Sequence, residues 1–298
     1  MPLRVAAISF LNPAPLLYNF EHEPTASALR ARYDIAYTTP AQCAAQLHSG
    51  EADLGLIPIA ELDQHLAIVP GCTIGSTSEV RSILLLVKNP QGLSIDEALH
   101  NVRTVAADSA SRSSLAYAKV LFTHFHGNRP DFVQQPAEPL AMLAHADAAL
   151  LIGDPALLAR EHRTAIDAAH PESLLWLDLA QLWRERTGLP WVAAVWAVRP
   201  EALGHHSGVS AQQLIDDTNA SRIAGQANVE TLVAEWAPRI GLPEQTVRTY
   251  LTHNIHYDLD DDCLRAIQLF RKLAAQINAL PALPKLHMLV SGQLASGI

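Results

Sequence analysis

The chain has 298 residues, 49% of them hydrophobic and 17% charged, the balance of a folded protein long enough for two lobes with real cores. A formal net charge of −9 argues against nucleic acid and anionic membranes as partners, although a local pocket can still be positive. Cys43, Cys72 and Cys263 match no zinc spacing, and an odd number of cysteines suits a reducing compartment.

Residues 4–9 read as the first strand. No long apolar leader precedes it and no stretch approaches a membrane span, so a cytoplasmic protein is expected. The loop Phe10-Leu11-Asn12-Pro13-Ala14-Pro15 leads into a short helix over 16–20. Asn12 therefore stands at the carboxyl end of a strand, where open α/β sheets place ligands. It can serve a ligand or cap the helix, and the residues alone leave both open. Residues 36–38 predict a second strand and 40–48 a helix ended by Gly50. The phrase from Ala52-Asp53 to Leu62 is a buried strand turning into a helix, and a similar phrase returns from Ala146-Asp147 to Leu157. Val69-Pro70-Gly71 marks a turn and 74–79 a polar loop. Residues 81–88 predict a strand, with Ser82 at its start able to face a ligand. Asn89-Pro90-Gln91-Gly92 after it is the expected lobe boundary.

The chain is organised around Asp108-Ser109-Ala110-Ser111-Arg112-Ser113-Ser114. A short buried strand over 103–107 precedes it, and a helix over 115–126 follows. The first N–H groups of a helix lack internal partners and the dipole there favours negative charge, so serine hydroxyls and an arginine at that point make a site for a carboxylate or phosphate. Capping accounts for one serine, but not for four and an arginine.

Residues 132–133 read as a further strand. The chain is then helical after Asp154, polar around His170-Pro171-Glu172, and helical again over 178–186, ending at Thr187-Gly188-Leu189-Pro190. The uninterrupted apolar run 191–198 suits a strand covered on both faces and returns the chain to the first lobe. Helical patterns follow from Ser210, with segments at 228–236, 243–251 and 260–277. The acids Asp258, Asp260, Asp261 and Asp262 lack the glycine and terminal glutamate of a calcium loop and read as the acidic first turn of the last helix. The pairs His124-x-His126, His205-His206 and His253-x-x-His256 have no metal-site context, and no metal is expected. The predicted organisation is a discontinuous first lobe of residues 1–88 plus 190–280, a second lobe of 89–189, and a tail over 281–298.

Several motifs, in order, carry a resemblance: Ile8-Ser9-Phe10-Leu11-Asn12-Pro13-Ala14-Pro15-Leu16, Asp53-Leu54-Gly55-Leu56-Ile57-Pro58, Glu79-Val80-Arg81-Ser82-Ile83, Asp108 to Ser114, Leu151-Ile152-Gly153-Asp154-Pro155-Ala156-Leu157, and Thr187-Gly188-Leu189-Pro190-Trp191-Val192. Together they resemble the menaquinone-biosynthesis family of the futalosine pathway, and within it the chorismate-dehydrating members, from the first strand to about Ala275. Ser78 stands where that family has glycine, Ser113 where it has threonine, and Ala110 where serine is common.

The resemblance implies an α/β fold of the type II periplasmic-binding-protein kind, with two lobes and a ligand cleft between them. It also implies dehydration of chorismate, a dicarboxylate, to 3-[(1-carboxyvinyl)oxy]benzoate, with no metal, flavin or nicotinamide. Carried onto this chain, Ser109, Ser111, Arg112 and Ser113 would bind a carboxylate, and Ser82, Gly153 and Asp154 would shape the ring pocket. Asn12 would position the leaving hydroxyl or a substrate carboxylate, with the enolpyruvyl carboxylate itself accepting the proton. Asp154 is the rival base, its simpler role being a cap on the helix at Pro155. The sister enzyme that makes 1,4-dihydroxy-6-naphthoate and a non-catalytic binder of small acids remain alternatives.

Overall fold

The computed structural model describes residues 1–204, 207–283 and 285–290. Its strands, in chain order, are β1 (Leu3–Ile8), β2 (Tyr33–Thr38), β3 (Leu54–Pro58), β4 (Ala67–Ser76), β5 (Ile83–Lys88), β6 (Thr104–Asp108), β7 (Asp131–Gln135), β8 (Ala148–Ile152), β9 (Leu174–Asp178) and β10 (Trp191–Val198). They form two five-stranded sheets, ordered β2-β1-β3-β10-β4 and β7-β6-β8-β5-β9. In the first sheet β1 runs parallel to β2 and β3, while β10 lies antiparallel between β3 and β4. The second repeats the plan: β6 runs parallel to β7 and β8, and β5 lies antiparallel between β8 and β9.

The predicted boundary after Lys88 is therefore corrected. The strand assigned to the first lobe is a central strand of the second sheet, in register Ile83↔Ile152 and Leu84↔Asp178, so the crossing falls between Ser76 and Ile83. An apolar run covered on both faces looks the same in either sheet, so its composition does not say which one it joins. The turn expected at Val69-Pro70-Gly71 is also corrected, because these residues lie inside β4. There β10 slips register, pairing Val195 with Thr73 but Ala197 with Ile68, and the extra residues bulge. Gly71 has φ +93, and a Cβ on it would meet the Asn219 side chain, whose Nδ2 donates to the Pro70 carbonyl at 3.1 Å. The edge strand β9 has no counterpart among the predicted elements.

The C-terminal half supplies helices Ala211–Ala227, Val229–Ile240, Glu244–Thr249 and Asp261–Gln276. The third runs on as a wider π turn, Tyr250–Asn254. Asp260 caps the last helix by accepting the Cys263 N–H, with Asp261 and Asp262 in its first turn, as the acidic run predicts. Phe270 of that helix stacks on Tyr117, which stacks in turn on Trp191, with centroids 3.9 and 3.7 Å apart. This aromatic stack joins the second lobe, the C-terminal helix and the return strand in one core. The start of the tail is tied to β4. Ile68 N–H donates to the His287 carbonyl, Leu289 N–H donates to the Ile68 carbonyl, and Leu286 and Leu289 are buried. His205-His206 and residues 291–298 of the expected tail lie outside the described residues. No helix among the described residues is long and apolar enough to cross a membrane.

Candidate active site

Strand ends of both sheets meet at one pocket between the lobes. Ile8, Phe10, Pro58, Ile74, Ile83 and Ile152 give it apolar walls, and Asn12, Ser82, Arg112, Ser113, Ser114 and Gly153 also line it. A flat ring with a few polar substituents matches such a slot, because the walls take the ring and the convergent polar groups fix its orientation. Arg112 is the one charged side chain lining the pocket among the described residues, so an anion is the charge the site favours.

The second-lobe wall is the start of helix Ser113–Val120. Its approach is tied down from below. Asp108 Oδ1 accepts the Ala110 N–H at 2.9 Å, the Asp108 carbonyl accepts the Ser111 N–H, and Ser111 Oγ accepts the Leu115 N–H at 3.0 Å. Burial pushes the Asp108 carboxyl above its ordinary range. Ser111, wholly buried, thus gives its hydroxyl to the first turn of the helix, from the position before the Arg112 N-cap. Ser109 lies outside the pocket on the exposed side of the loop, its N–H donating to the Gln135 carbonyl. Ser113 and Ser114 face the pocket, and their N–H groups have no acceptor among the described residues. The loop therefore offers helix-start N–H groups, Ser114 and Arg112, but not the hydroxyls of Ser109 and Ser111.

Ser113 joins the lobes. Its hydroxyl donates to the Ala193 carbonyl at 3.1 Å and accepts the Ala60 N–H at 3.2 Å. Arg112 Nε lies 3.7 Å from Glu61 Oε1, also on the first lobe.

Asn12 stands on the first-lobe wall. Its side-chain oxygen is buried with no hydrogen-bond partner, and its backbone carbonyl accepts the Tyr257 hydroxyl at 3.0 Å. A buried amide oxygen left open beside a pocket is suited to a donor on a ligand. Ser82 is 1% exposed, and its Oγ accepts the Tyr250 hydroxyl at 2.8 Å. Gly153 has φ +62, and a Cβ there would lie 2.8 Å from the Phe10 ring, so glycine lets Phe10 of one lobe close on the other.

Asp154 does not line the pocket. Its Oδ1 accepts the Leu11 N–H at 3.0 Å, and burial pushes its carboxyl up to about 6. The helix Gly153–Glu161 has no side-chain cap bond, so the expected capping role is corrected to a bond between lobes. Tyr250 and Tyr257 are absent from the sequence reading. Tyr250 meets Ser82 from 168 positions away, and no local pattern marks such a pair. Ser114 belongs to the serine loop itself, so that motif did carry its signal.

One group of potential metal ligands, His256, Asp260 and Cys263, stands apart from the pocket. His256 Nε2 lies 3.1 Å from Asp260 Oδ2 and Asp260 Oδ1 caps the helix, while burial pushes the Cys263 thiol up to about 12 and keeps it protonated. Helix capping and one ion pair account for the group.

A family model described as menaquinone biosynthesis matches residues 3–276 of the chain. The chorismate dehydratase of Thermus thermophilus is 26% identical over 265 residues, 86% of this chain and 90% of that protein. Among solved structures, a protein of Archaeoglobus fulgidus matches with a TM-score of 0.69 and 16% identity, covering 94% of this chain and 98% of that one. The periplasmic aliphatic sulphonate binding protein SsuA of Escherichia coli matches with a TM-score of 0.62 at 16% identity, covering 94% of both chains. The alkanesulfonate-binding protein SsuA of Xanthomonas axonopodis pv. citri, bound to MOPS, gives 0.61 at 16% identity, again covering 94% of both. The structural likenesses bear out the expected periplasmic-binding-protein-like fold, two α/β lobes around a cleft.

Proposed function

The chain belongs to the menaquinone biosynthesis family, and on that premise we propose that it is a chorismate dehydratase, a hydro-lyase of the futalosine route that converts chorismate to 3-[(1-carboxyvinyl)oxy]benzoate and water. The observation that carries this reading is the pocket's polarity. An apolar slot has anion-binding groups, Arg112 and the Ser113 and Ser114 N–H groups, at the helix start of the second lobe, and neutral polar groups, Asn12 of the first lobe and Ser82 at the start of β5, elsewhere on its lining. A cyclohexadiene dicarboxylate has matching parts. The Thermus relative named chorismate dehydratase supports the choice of substrate.

In this reading the C3–H and C4–O bonds break, the ring becomes aromatic, and the C3 proton leaves with the C4 hydroxyl as water. Aromatisation supplies the driving force, so the site must chiefly hold one reactive conformer. Arg112 and the helix start hold one carboxylate. Asn12 turns its amide to the leaving hydroxyl or the enolpyruvyl carboxylate, and that carboxylate takes the proton. Asparagine is no base near neutrality, and Asp154 is engaged with Leu11 outside the pocket lining. The proposal includes a cytoplasmic location and needs no metal, flavin or nicotinamide.

The test is incubation of the purified protein with chorismate, followed by mass spectrometry. A product lighter by one water, with an aromatic ring, is expected. Chorismate bound but recovered unchanged would favour a binding protein, and chorismate neither bound nor changed would favour the naphthoate-forming sister enzyme.

A further inference from the structure

Tyr250 is wholly buried and sits on the π turn Tyr250–Asn254, where an extra residue per turn re-aims side chains relative to an ordinary helix. Its hydroxyl donates to Ser82 Oγ at 2.8 Å. Ser82 is also fixed through its backbone, its carbonyl accepting the Gly153 N–H at 2.8 Å. The Ser82 hydroxyl has no other side-chain partner among the described residues, and Ser82 lines the pocket. A hydroxyl has one hydrogen and two lone pairs. When Tyr250 fills one lone pair of Ser82, the hydrogen of Ser82 is left free to point into the pocket. Burial holds the phenol well above its ordinary pKa, so Tyr250 stays protonated and stays a donor.

We propose that Tyr250 is a positioning residue for the dehydration. It aims the Ser82 hydroxyl so that Ser82 donates a hydrogen bond to the C4 oxygen of chorismate as the C4–O bond breaks. The inference rests on the function proposed above. Ser82 gives a hydrogen bond and not a proton; the departing oxygen receives the proton lost from C3. The gain falls mainly in the transition state, where negative charge builds on that oxygen, so the effect belongs in kcat more than in KM.

The experiment is a double-mutant cycle on the full chain with Tyr250→Phe, Ser82→Ala and both together, assayed with chorismate beside thermal melting. Phenylalanine fills the same space, so the fold is kept. Tyr250→Phe is expected to lower kcat about tenfold or more with KM changed less than about twofold. In the Ser82→Ala background the same change is expected to have no further effect on kcat, because the hydroxyl it aims is gone. Ser82→Thr, which keeps a hydroxyl for Tyr250 to aim, is expected to retain most of the activity. Losses that multiply in the double variant, or a Tyr250→Phe protein with normal kcat and only a lower melting temperature, would overturn the inference while leaving the function standing. No release of water from chorismate by the unmodified protein would overturn the function, and the inference with it.

Discussion

The Asp154 carboxylate accepts the Leu11 N–H at 3.0 Å, which ties the helix start after β8 in the second lobe to the loop after β1 in the first. The bond stands one residue from Gly153, where the Phe10 ring closes on the chain, and one residue from Asn12 on the other side. The latch therefore borders the pocket without entering it.

Asp154 makes stability depend on pH. Burial holds its carboxyl at about 6 in the folded protein, above the ordinary aspartate value of about 3.9. Between the two, the folded state keeps a proton that the unfolded state has released, so this group's contribution falls as pH rises from about 4 to about 6 and stays low above that. Asp154→Asn keeps an acceptor for Leu11 and removes a half-buried charge. It is expected to be more stable than the unmodified protein by roughly 3 kcal/mol at pH 8, the difference vanishing near pH 4, as read by urea unfolding at each pH. Turnover should be retained. A loss of about a hundredfold or more would make Asp154 the base after all.

Asn12 is argued to position substrate. Asn12→Asp puts a negative charge at a buried oxygen that already lacks a partner, facing a dianion. Chorismate or product affinity should fall by about tenfold or more. Asn12→Ala adds no repulsion, so it should bind better than Asn12→Asp yet turn over poorly. Calorimetric titration beside turnover separates the two, and full activity in Asn12→Ala would leave Asn12 no part in the reaction.

Arg112 and Ser113 should separate by readout. Arg112→Gln removes a partly exposed charge at the pocket, so stability should hold within about 0.5 kcal/mol while KM rises about tenfold. Ser113→Ala leaves the Ala60 N–H and the Ala193 carbonyl without their partner between the lobes. It is expected to cost about 1–3 kcal/mol in denaturant unfolding. Equal effects of the two substitutions on both measurements would contradict these assignments.

Gly153→Ala combines a left-handed backbone with a contact of 2.8 Å to Phe10. It should destabilise the protein by about 1–3 kcal/mol and lower activity by holding the lobes apart. Phe10→Leu in the same chain should recover part of the stability by yielding space. If Gly153→Ala alone is neutral in melting and turnover, this close approach does not control closure.

Local order decided what the sequence alone could determine. A helix start just after the serine loop was legible, as was the opening of the last helix at Asp260 to Asp262, because helix termini are settled by the few residues around them; which serine serves the helix was not. The run 191–198 was legible as a buried strand from its unbroken apolar pattern, and Asn12 was placed at a strand end by the proline-rich loop after it. Tertiary structure alone decided which sheet takes Ile83–Lys88, that Asp154 binds Leu11 and caps nothing, and that Ser113 spends its hydroxyl on bonds between lobes. It also brought Tyr250 to Ser82 and Tyr257 to Asn12. Each of these partners lies tens to hundreds of residues away along the chain. Their meeting depends on how two cores pack and where the chain crosses between them, and neither is encoded in the pattern around a single residue.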